Sequence, residues 1–315
     1  MQPKVVALGG GHGLAATLSA LREITSEITA IVTVADNGGS SGRLRDEFSI
    51  LPPGDLRMAL AALCSQDDWG RSWARIMQHR FTSEGPLNGH AVGNLLLAAL
   101  WDRDDDPVVG LDRVGSLLKV IGRVLPMSSI PLDIEGTFSL GGQERIVRGQ
   151  AQVAAAEGTL ISLRILPTNP PALAESCLAI RQAEWITMGP GSWFSSVLPH
   201  LLVPEQLNSL IETKARRILL LNLDTTPDSK ADEYAGYTAE EHCQLFAQYA
   251  PKLQIDFVVV DTSVVENLGN LKSTVEAMGG ELVVADLRAA PKSVHHDVRK
   301  LALSFGNIMT NSLIG

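Results

Sequence analysis

Cysteine is scarce. Cys64, Cys177 and Cys243 are the only three, odd in number and far apart, so neither a disulfide framework nor a CxxC metal site can be built from them. They read as buried, reduced thiols. Cations are in deficit too: Lys plus Arg number 26 against 35 Asp plus Glu, a formal charge of -9, which leaves no chain-wide basic footprint for nucleic acid. No nucleic-acid partner is expected. Charged residues are only 19% and hydrophobic ones 45%, with a mean hydropathy of +0.12, which excludes a disordered chain. An uninterrupted membrane span is also missing. The stretch from Trp185 to Pro204 has no Asp, Glu, Lys or Arg, yet Gly189, Pro190, Gly191, Ser192, Ser195, Ser196 and Pro199 break it, so it reads as a strand, a loop and a short buried helix. The first residues lack the long apolar segment and small-residue cleavage site of a secretory signal, so a cytoplasmic protein is expected. There is no fixed-period repeat and no low-complexity linker.

What is present is an alternation of short apolar, β-branched runs with helix-period segments over 315 residues, the pattern of a parallel sheet covered by helices. Strands are predicted at Lys4–Leu8, Ile28–Val34, Trp185–Met188, Arg217–Leu221, Phe257–Val260 and Glu281–Ala285. Helices are predicted at Leu14–Glu23, Asp55–Cys64, Asp68–His79, Val92–Trp101, Ala172–Gln182, Pro204–Lys214 and about Val294–Met309. Between Ile130 and Pro167, apolar residues separated by Gly141-Gly142 and Glu157-Gly158 mark a β-rich insertion. The expected architecture is one Rossmann-like, doubly wound α/β domain over 1–315, with ligand beyond the carboxyl ends of its strands.

The loops at those ends are rich in chemistry. The first strand runs into Gly9-Gly10-Gly11-His12-Gly13 and a helix, so that glycine backbone and helix N–H groups can approach a phosphate. The spacing is neither the dinucleotide GxGxxG, since Leu14 stands where the last glycine belongs, nor a P-loop. The second strand ends in Asp36-Asn37-Gly38-Gly39-Ser40-Ser41-Gly42-Arg43, read as a loop. A turn alone would explain an Asx motif at Asp36 or Asn37; the functional reading gives Asp36 and Asn37 a sugar hydroxyl or a metal, and Ser40, Ser41 and backbone N–H groups the phosphate oxygens. Asp55 is an N-cap by type, or a ligand contact. His90 is a structural imidazole or an acid/base group, and Asn94 needs a partner at the edge of a buried run. Gly189-Pro190-Gly191-Ser192 repeats the glycine-rich strand-to-helix device without being a GxSxG elbow. Asn222 ends another strand. Asp297 after His295-His296 reads as first-turn charge, and the two histidines lack metal-site spacing.

Together these blocks resemble a known family. GGGHG (Gly9 to Gly13), ITAIVTVADNGGSSGRLR (Ile28 to Arg45), LPPGDLR (Leu51 to Arg57), GHAVGNLLLAAL (Gly89 to Leu100), MGPGSWFSSVLPHLLVP (Met188 to Pro204) and the Asn222 to His242 stretch are similar, in order, to the gluconeogenesis factor family, the YvcK group of the CofD-like superfamily. The resemblance implies a Rossmann-like core and a cytoplasmic, UDP-sugar-binding regulatory protein, needed for growth on gluconeogenic carbon sources and for cell-wall synthesis and cell shape. It implies protein partners in cell-wall precursor synthesis, and leaves a homo-oligomer open. The superfamily's enzyme branch implies the alternative, a nucleotide-dependent 2-phospho-L-lactate-type transferase using Mg²⁺, with Asp55 matching the carboxylate that contacts its deazaflavin acceptor and His90 as the second candidate for chemistry. Nucleotide contacts carry over to Gly9–Gly13, Gly189–Ser192 and Asn222. The chain departs from the family in three places. Asp36-Asn37 stands for two aspartates, Thr225-Thr226-Pro227-Asp228-Ser229-Lys230 for a TQxGET pattern, and His295-His296 for an Arg-His pair, so His295 is the last candidate contact.

Overall fold

The computed structural model describes residues 2–104, 106–223, 237–291 and 293–311. Its strands are β1 (Val5–Gly9), β2 (Ile28–Val32), β3 (Arg123–Pro126), β4 (Asp133–Leu140), β5 (Gln143–Arg148), β6 (Thr159–Leu166), β7 (Trp185–Met188), β8 (Arg216–Leu220), β9 (Phe257–Asp261) and β10 (Glu281–Ala285). Seven of them form one parallel sheet in the order β10-β9-β8-β7-β1-β2-β3. The helices are α1 (Gly11–Leu21), α2 (Gly39–Phe48), α3 (Pro53–Leu63), α4 (Asp68–Gln78), α5 (Val92–Arg103), α6 (Pro107–Leu118), α7 (Gln150–Ala154), α8 (Ala174–Gln182), α9 (Pro199–Leu202), α10 (Pro204–Glu212), α11 (Ala239–Tyr249), α12 (Leu268–Ala277) and α13 (Val298–Asn311). The central strands are apolar because they are covered on both faces: every residue of β1 and β7 is buried, which removes the period-two alternation of a half-exposed strand.

The β-rich insertion is a separate antiparallel sheet in the order β5-β4-β6. In β4, buried residues alternate with more exposed ones, as expected when one face packs and the other meets water. Ile134, Phe138, Leu163 and Ile165 join the core of the large sheet. Phe138 meets Phe194 edge-on at 6.4 Å between centroids, and the Tyr249 hydroxyl accepts from Leu163 N at 2.7 Å.

Three expectations change. The Gly- and Ser-rich segment after β2, read as a loop, turns into α2 at Gly39, because Ser40, Ser41 and Gly42 are buried and the packing outweighs weak helix propensity. Asp55 is not an N-cap: α3 starts at Pro53 after an N-cap at Pro52, and Asp55 lies within its first turn. The final helix starts at Val298, because 287–289 and 295–297 pair as a short ladder, with Asp297 N donating to Leu287 O at 2.8 Å and Ala289 N to His295 O at 3.0 Å. Asp297 then accepts from Arg299 N and Lys300 N, the helix-start role expected of it. No described helix is long and apolar enough to cross a membrane.

Candidate functional site

The chain runs from β1 outward through β2 to β3, then returns to build β7, β8, β9 and β10 on the other side. The sheet therefore reverses its direction of growth between β1 and β7, and a cavity of about 460 Å³ opens at the carboxyl ends of those two strands. This is where open α/β sheets bind ligands. Its floor is made by the two glycine-rich loops. A Cβ at Gly13 would fall on the Pro190 carbonyl, and one at Gly10 would come within 2.6 Å of the Thr33 methyl, so only glycine lets the loops meet this closely. Gly191, at φ +147, holds a conformation that side chains disfavour. It is clamped by the Asn222 amide, which accepts from Gly191 N at 2.9 Å and donates to Gly191 O at 3.0 Å.

Helix α1 points its first turn at this floor. No side chain of its own caps it and no acidic residue lies in its first turn, so its positive end is open to an anion. One protein group already uses it: the Asp55 carboxylate accepts from Gly11 N–H. Burial first, then the nearby Asp36 carboxylate, push Asp55 up to about 7, while the Gly11 bond and Arg57 pull the other way. Asp36 itself accepts from Gly38 N at 2.8 Å. Ser192 Oγ accepts from Ser195 N at 3.1 Å and from the Ser195 hydroxyl at 2.6 Å, which shapes the turn after Gly191.

Of the sequence candidates, Gly10, Gly11, His12, Gly13, Asp36, Asp55, Gly191, Ser192, Asn222 and His295 line this cavity. The others lie behind it. Gly9 O accepts from His200 Nε2 at 3.3 Å, and Gly189 O from the Thr17 hydroxyl at 3.1 Å. Asn37 ties the insertion down, accepting from Ala151 N at 3.0 Å and donating to Gln152 Oε1 at 3.1 Å. Ser41 Oγ accepts from Gly54 N at 3.0 Å. Ser40, His90 and Asn94 meet in a buried chain: Arg57 Nε donates to Asn94 Oδ1 at 2.8 Å, Asn94 Nδ2 to Ser40 Oγ at 3.0 Å, and Ser40 Oγ lies 3.0 Å from His90 Nδ1. The serine hydroxyls are thus engaged inside the protein rather than turned to the cavity. The stretch from Thr225 to Lys230, with Gly236, lies outside the described residues.

Sequence reasoning missed Thr33, Gln150 and His296, which also line the cavity, and Arg57, which anchors the chain behind it. Thr33 Oγ1 and His296 Nε2 are buried with no hydrogen-bond partner. Nothing in the local sequence marks Gln150, whereas Thr33 lies in the block that leads to Asp36 and His296 stands beside the candidate His295, where its type is visible but its place in the cavity wall is not. No cluster of three or more metal-ligating side chains occurs among the described residues.

Fold and site together define a Rossmann-like α/β protein with an anion-receptive cleft at its sheet reversal. A family profile described as 2-phospho-L-lactate transferase CofD matches residues 5–302. A protein of Mycobacterium leprae that carries the provisional name of gluconeogenesis factor is 47% identical over 97% of this chain and 86% of its own. The gluconeogenesis factor of Bacillus subtilis is 36% identical over 83% of this chain and 79% of its own. A solved structure of a UPF0052-family protein from Bacillus halodurans superposes with a TM-score of 0.84 at 32% identity, covering 96% of this chain and 99% of that one. The chain belongs to the gluconeogenesis factor family of CofD-like proteins.

Proposed function

We propose that the cavity binds a nucleotide diphosphate sugar of the UDP-sugar type, and that the chain acts as a cytoplasmic regulatory protein on gluconeogenic growth and cell-wall precursor synthesis through protein partners. The observation that carries this reading is the place of the cavity: it lies at the sheet reversal, between two glycine loops and the uncapped start of α1. Its volume suits one such ligand. The diphosphate would rest on the backbone of Gly10–Gly13 and Gly191-Ser192, and sugar hydroxyls would donate to Asp36 and Asp55. Two carboxylates beside phosphates also suit Mg²⁺, which commonly takes one or two protein carboxylates and completes its shell with phosphate and water; Asp36 and Asp55 would hold it.

A regulatory role is favoured over the phospholactate-type transferase because no described nucleophile is paired with a base in the cavity. His90, the imidazole that such chemistry would call on, faces Ser40 instead. Titration calorimetry with UDP-glucose, GDP and ADP, followed by a turnover assay with Mg²⁺ and a broad acceptor set, tests both halves. Tight UDP-glucose binding without turnover supports the reading. Preference for GDP with product formation replaces it by the transferase.

A further inference from the structure

We infer that the free edge of β5 is a self-association surface: two copies of this chain pair β5 against β5, antiparallel about a two-fold axis at Ile146, and so join their small sheets into one.

Strand β5 lies at one end of the β5-β4-β6 sheet, so one of its sides bonds to β4 and the other is open. The hairpin fixes which residues face which way. Leu140 pairs with Gln143 across Gly141-Gly142, both glycines at positive φ, and such a two-residue turn closes on a hydrogen-bonded pair. At the far end, Gly149 N donates to Ile134 O at 2.7 Å. The two ends agree. Gln143, Arg145 and Val147 turn their backbone N–H and C=O to β4, and Glu144, Ile146 and Arg148 turn theirs to the free edge. The side chains of these last three stand opposite Ser139, Thr137 and Glu135 of β4, on the face away from the core that Ile134 and Phe138 join.

An open edge invites another strand, and proteins commonly blunt it. The β6 edge is blunted: its pairing with β4 is broken by a register shift, and Leu163 N is already taken by the Tyr249 hydroxyl at 2.7 Å. β5 has no register shift, no proline and no lysine, and Ile146 at its middle is 63% exposed. Its charges complement a second copy of itself. With Ile146 opposite its counterpart, Glu144 of each copy stands opposite Arg148 of the other, so two ion pairs flank an apolar pair. The outward backbone groups of all three residues then pair as well, in about six hydrogen bonds. Arg148 bonds to Asp133 at 2.6 Å and stands opposite Glu135, which accepts from Arg164 Nε at 2.7 Å. The incoming Glu144 completes a row of alternating sign: Glu144, Arg148, Glu135, Arg164.

Other registers lose these matches. An axis at Arg145 sets that cation against its own copy, and an axis at Val147 carries Glu144 past the strand end to face Gln150. An axis between residues sets outward groups against inward ones. β5 leads through Gly149 into α7, whose Gln150 lines the cavity, so the joined sheet runs up to the cleft of each copy.

Sedimentation equilibrium of the full chain over a concentration series tests the surface, with thermal unfolding confirming that each variant folds. Wild type should shift from 33.7 kDa towards twice that mass as concentration rises. Ile146→Pro removes an outward N–H from each copy but no bond to β4, and should weaken the dimer about tenfold or more. Glu144→Arg and Arg148→Glu, each alone, set like charges opposite each other and should also weaken it. Mixed together they should recover the dimer, since each variant then supplies the charge that the other lacks, an outcome that a merely structural role of either residue would not produce. Under mild oxidation Ile146→Cys should cross-link, because the Cα atoms of a hydrogen-bonded pair lie about 5.5 Å apart, while Ile161→Cys on β6 should not; the native thiols are buried. A wild type that stays at 33.7 kDa throughout overturns the inference, as does an undiminished dimer in a folded Ile146→Pro. Failure of the mixture to recover the dimer, or cross-linking of Ile161→Cys as readily as Ile146→Cys, puts the contact elsewhere and overturns it too.

Discussion

Around the cavity, polar atoms are left without protein partners: Thr33 Oγ1 and His296 Nε2 are buried and unbonded, and α1 presents its first turn with no cap of its own. Behind α2, polar atoms of similar types bond to one another, with Arg57, Asn94, Ser40 and His90 linked at 2.8 to 3.0 Å. Both clusters stand beside glycines at the starts of helices, and both look alike in the sequence. What separates them is the extent of pairing, since in the inner cluster only Arg57 Nη1 is left buried without a bond. A buried polar group that the fold leaves unpaired costs stability unless something else binds it, so the first cluster is the better suited to the proposed ligand, while the second chiefly ties the protein to itself.

The largest effect should come where the two loops touch. Gly13→Val drives a side chain into the Pro190 carbonyl, and overpacking against backbone that cannot retreat costs roughly 3 kcal/mol or more. Thermal unfolding should show it as a loss of many degrees. Gly306→Ala is the control: nothing lies within 4 Å of the added carbon, and a helical glycine replaced by alanine should stabilise by about 0.5–1 kcal/mol. Equal behaviour of the two variants would mean that the loops do not meet as described.

The next effect belongs to the inner cluster. Arg57 is 2% exposed and its Nη1 is without a partner; burial and the neighbouring Arg80 lower it to about 10, so it stays charged at neutral pH. Arg57→Met removes that buried charge but also strips Asn94 Oδ1 of its donor, so a net loss of about 1–3 kcal/mol is expected. UDP-sugar affinity, measured on the folded variant, should stay within twofold. A tenfold loss of affinity with little loss of stability would merge the two clusters into one site.

Asp55 sharpens the comparison because it serves the cavity at a cost to the fold. Its carboxyl is raised from 3.8 to about 7, so its contribution to stability is fully present below pH 3.8 and is lost as pH rises through about 7. The shift alone bounds the effect at roughly 4 kcal/mol, and because the residue keeps part of its surface on the open cavity, about 1–2 kcal/mol is the expected size. Asp55→Asn should therefore unfold at higher temperature than wild type above pH 7 and lose most of that advantage near pH 4. If it also loses UDP-sugar affinity, the carboxylate is a ligand group held in place against its own preference. Stability profiles that run parallel at every pH would remove the buried charge from the account.

How much of this the sequence discloses depends on how local the signal is. β1, β2, β7, β8 and β9 are readable because strands buried on both faces are continuous apolar runs. β3 is missed because it is four residues long and ends at Pro126. α2 is missed because glycine and serine signal a turn until burial is known. In the site, the glycine loops declare themselves by spacing and the resemblance orders them. Thr33, Gln150 and His296 do not: Gln150 comes from the insertion with no signal around it, and Thr33 and His296, although close in sequence to Asp36 and His295, gain meaning only from the atoms facing them. Ser40, His90 and Asn94 show the converse: residue type is visible, but whether a hydroxyl or an imidazole points at a ligand or at its neighbour is a matter of three-dimensional pairing.

The smallest effect tests that pairing at its outer end. His90 Nδ1 lies 3.0 Å from Ser40 Oγ, which accepts from Asn94 Nδ2 and keeps its own proton to donate, so a neutral ring with its lone pair on Nδ1 can take the serine hydroxyl's bond. Burial, Arg43 and Arg80 lower the pKa of His90, with Glu47 opposing them. For a histidine lowered in the folded state, the unfolded chain takes up the proton first, so stability is present above the ordinary value of 6.5 and is lost as pH falls below it. His90→Gln keeps an acceptor for Ser40 and removes the titration. It should match wild type within about 1 kcal/mol at pH 8 and fall less steeply than wild type as the solution is acidified, with UDP-sugar affinity unchanged in both conditions. A variant that unfolds along the wild-type pH profile would place the titrating group elsewhere, and one that keeps its stability while losing ligand would turn His90 from a stitch in the inner cluster into part of the cavity.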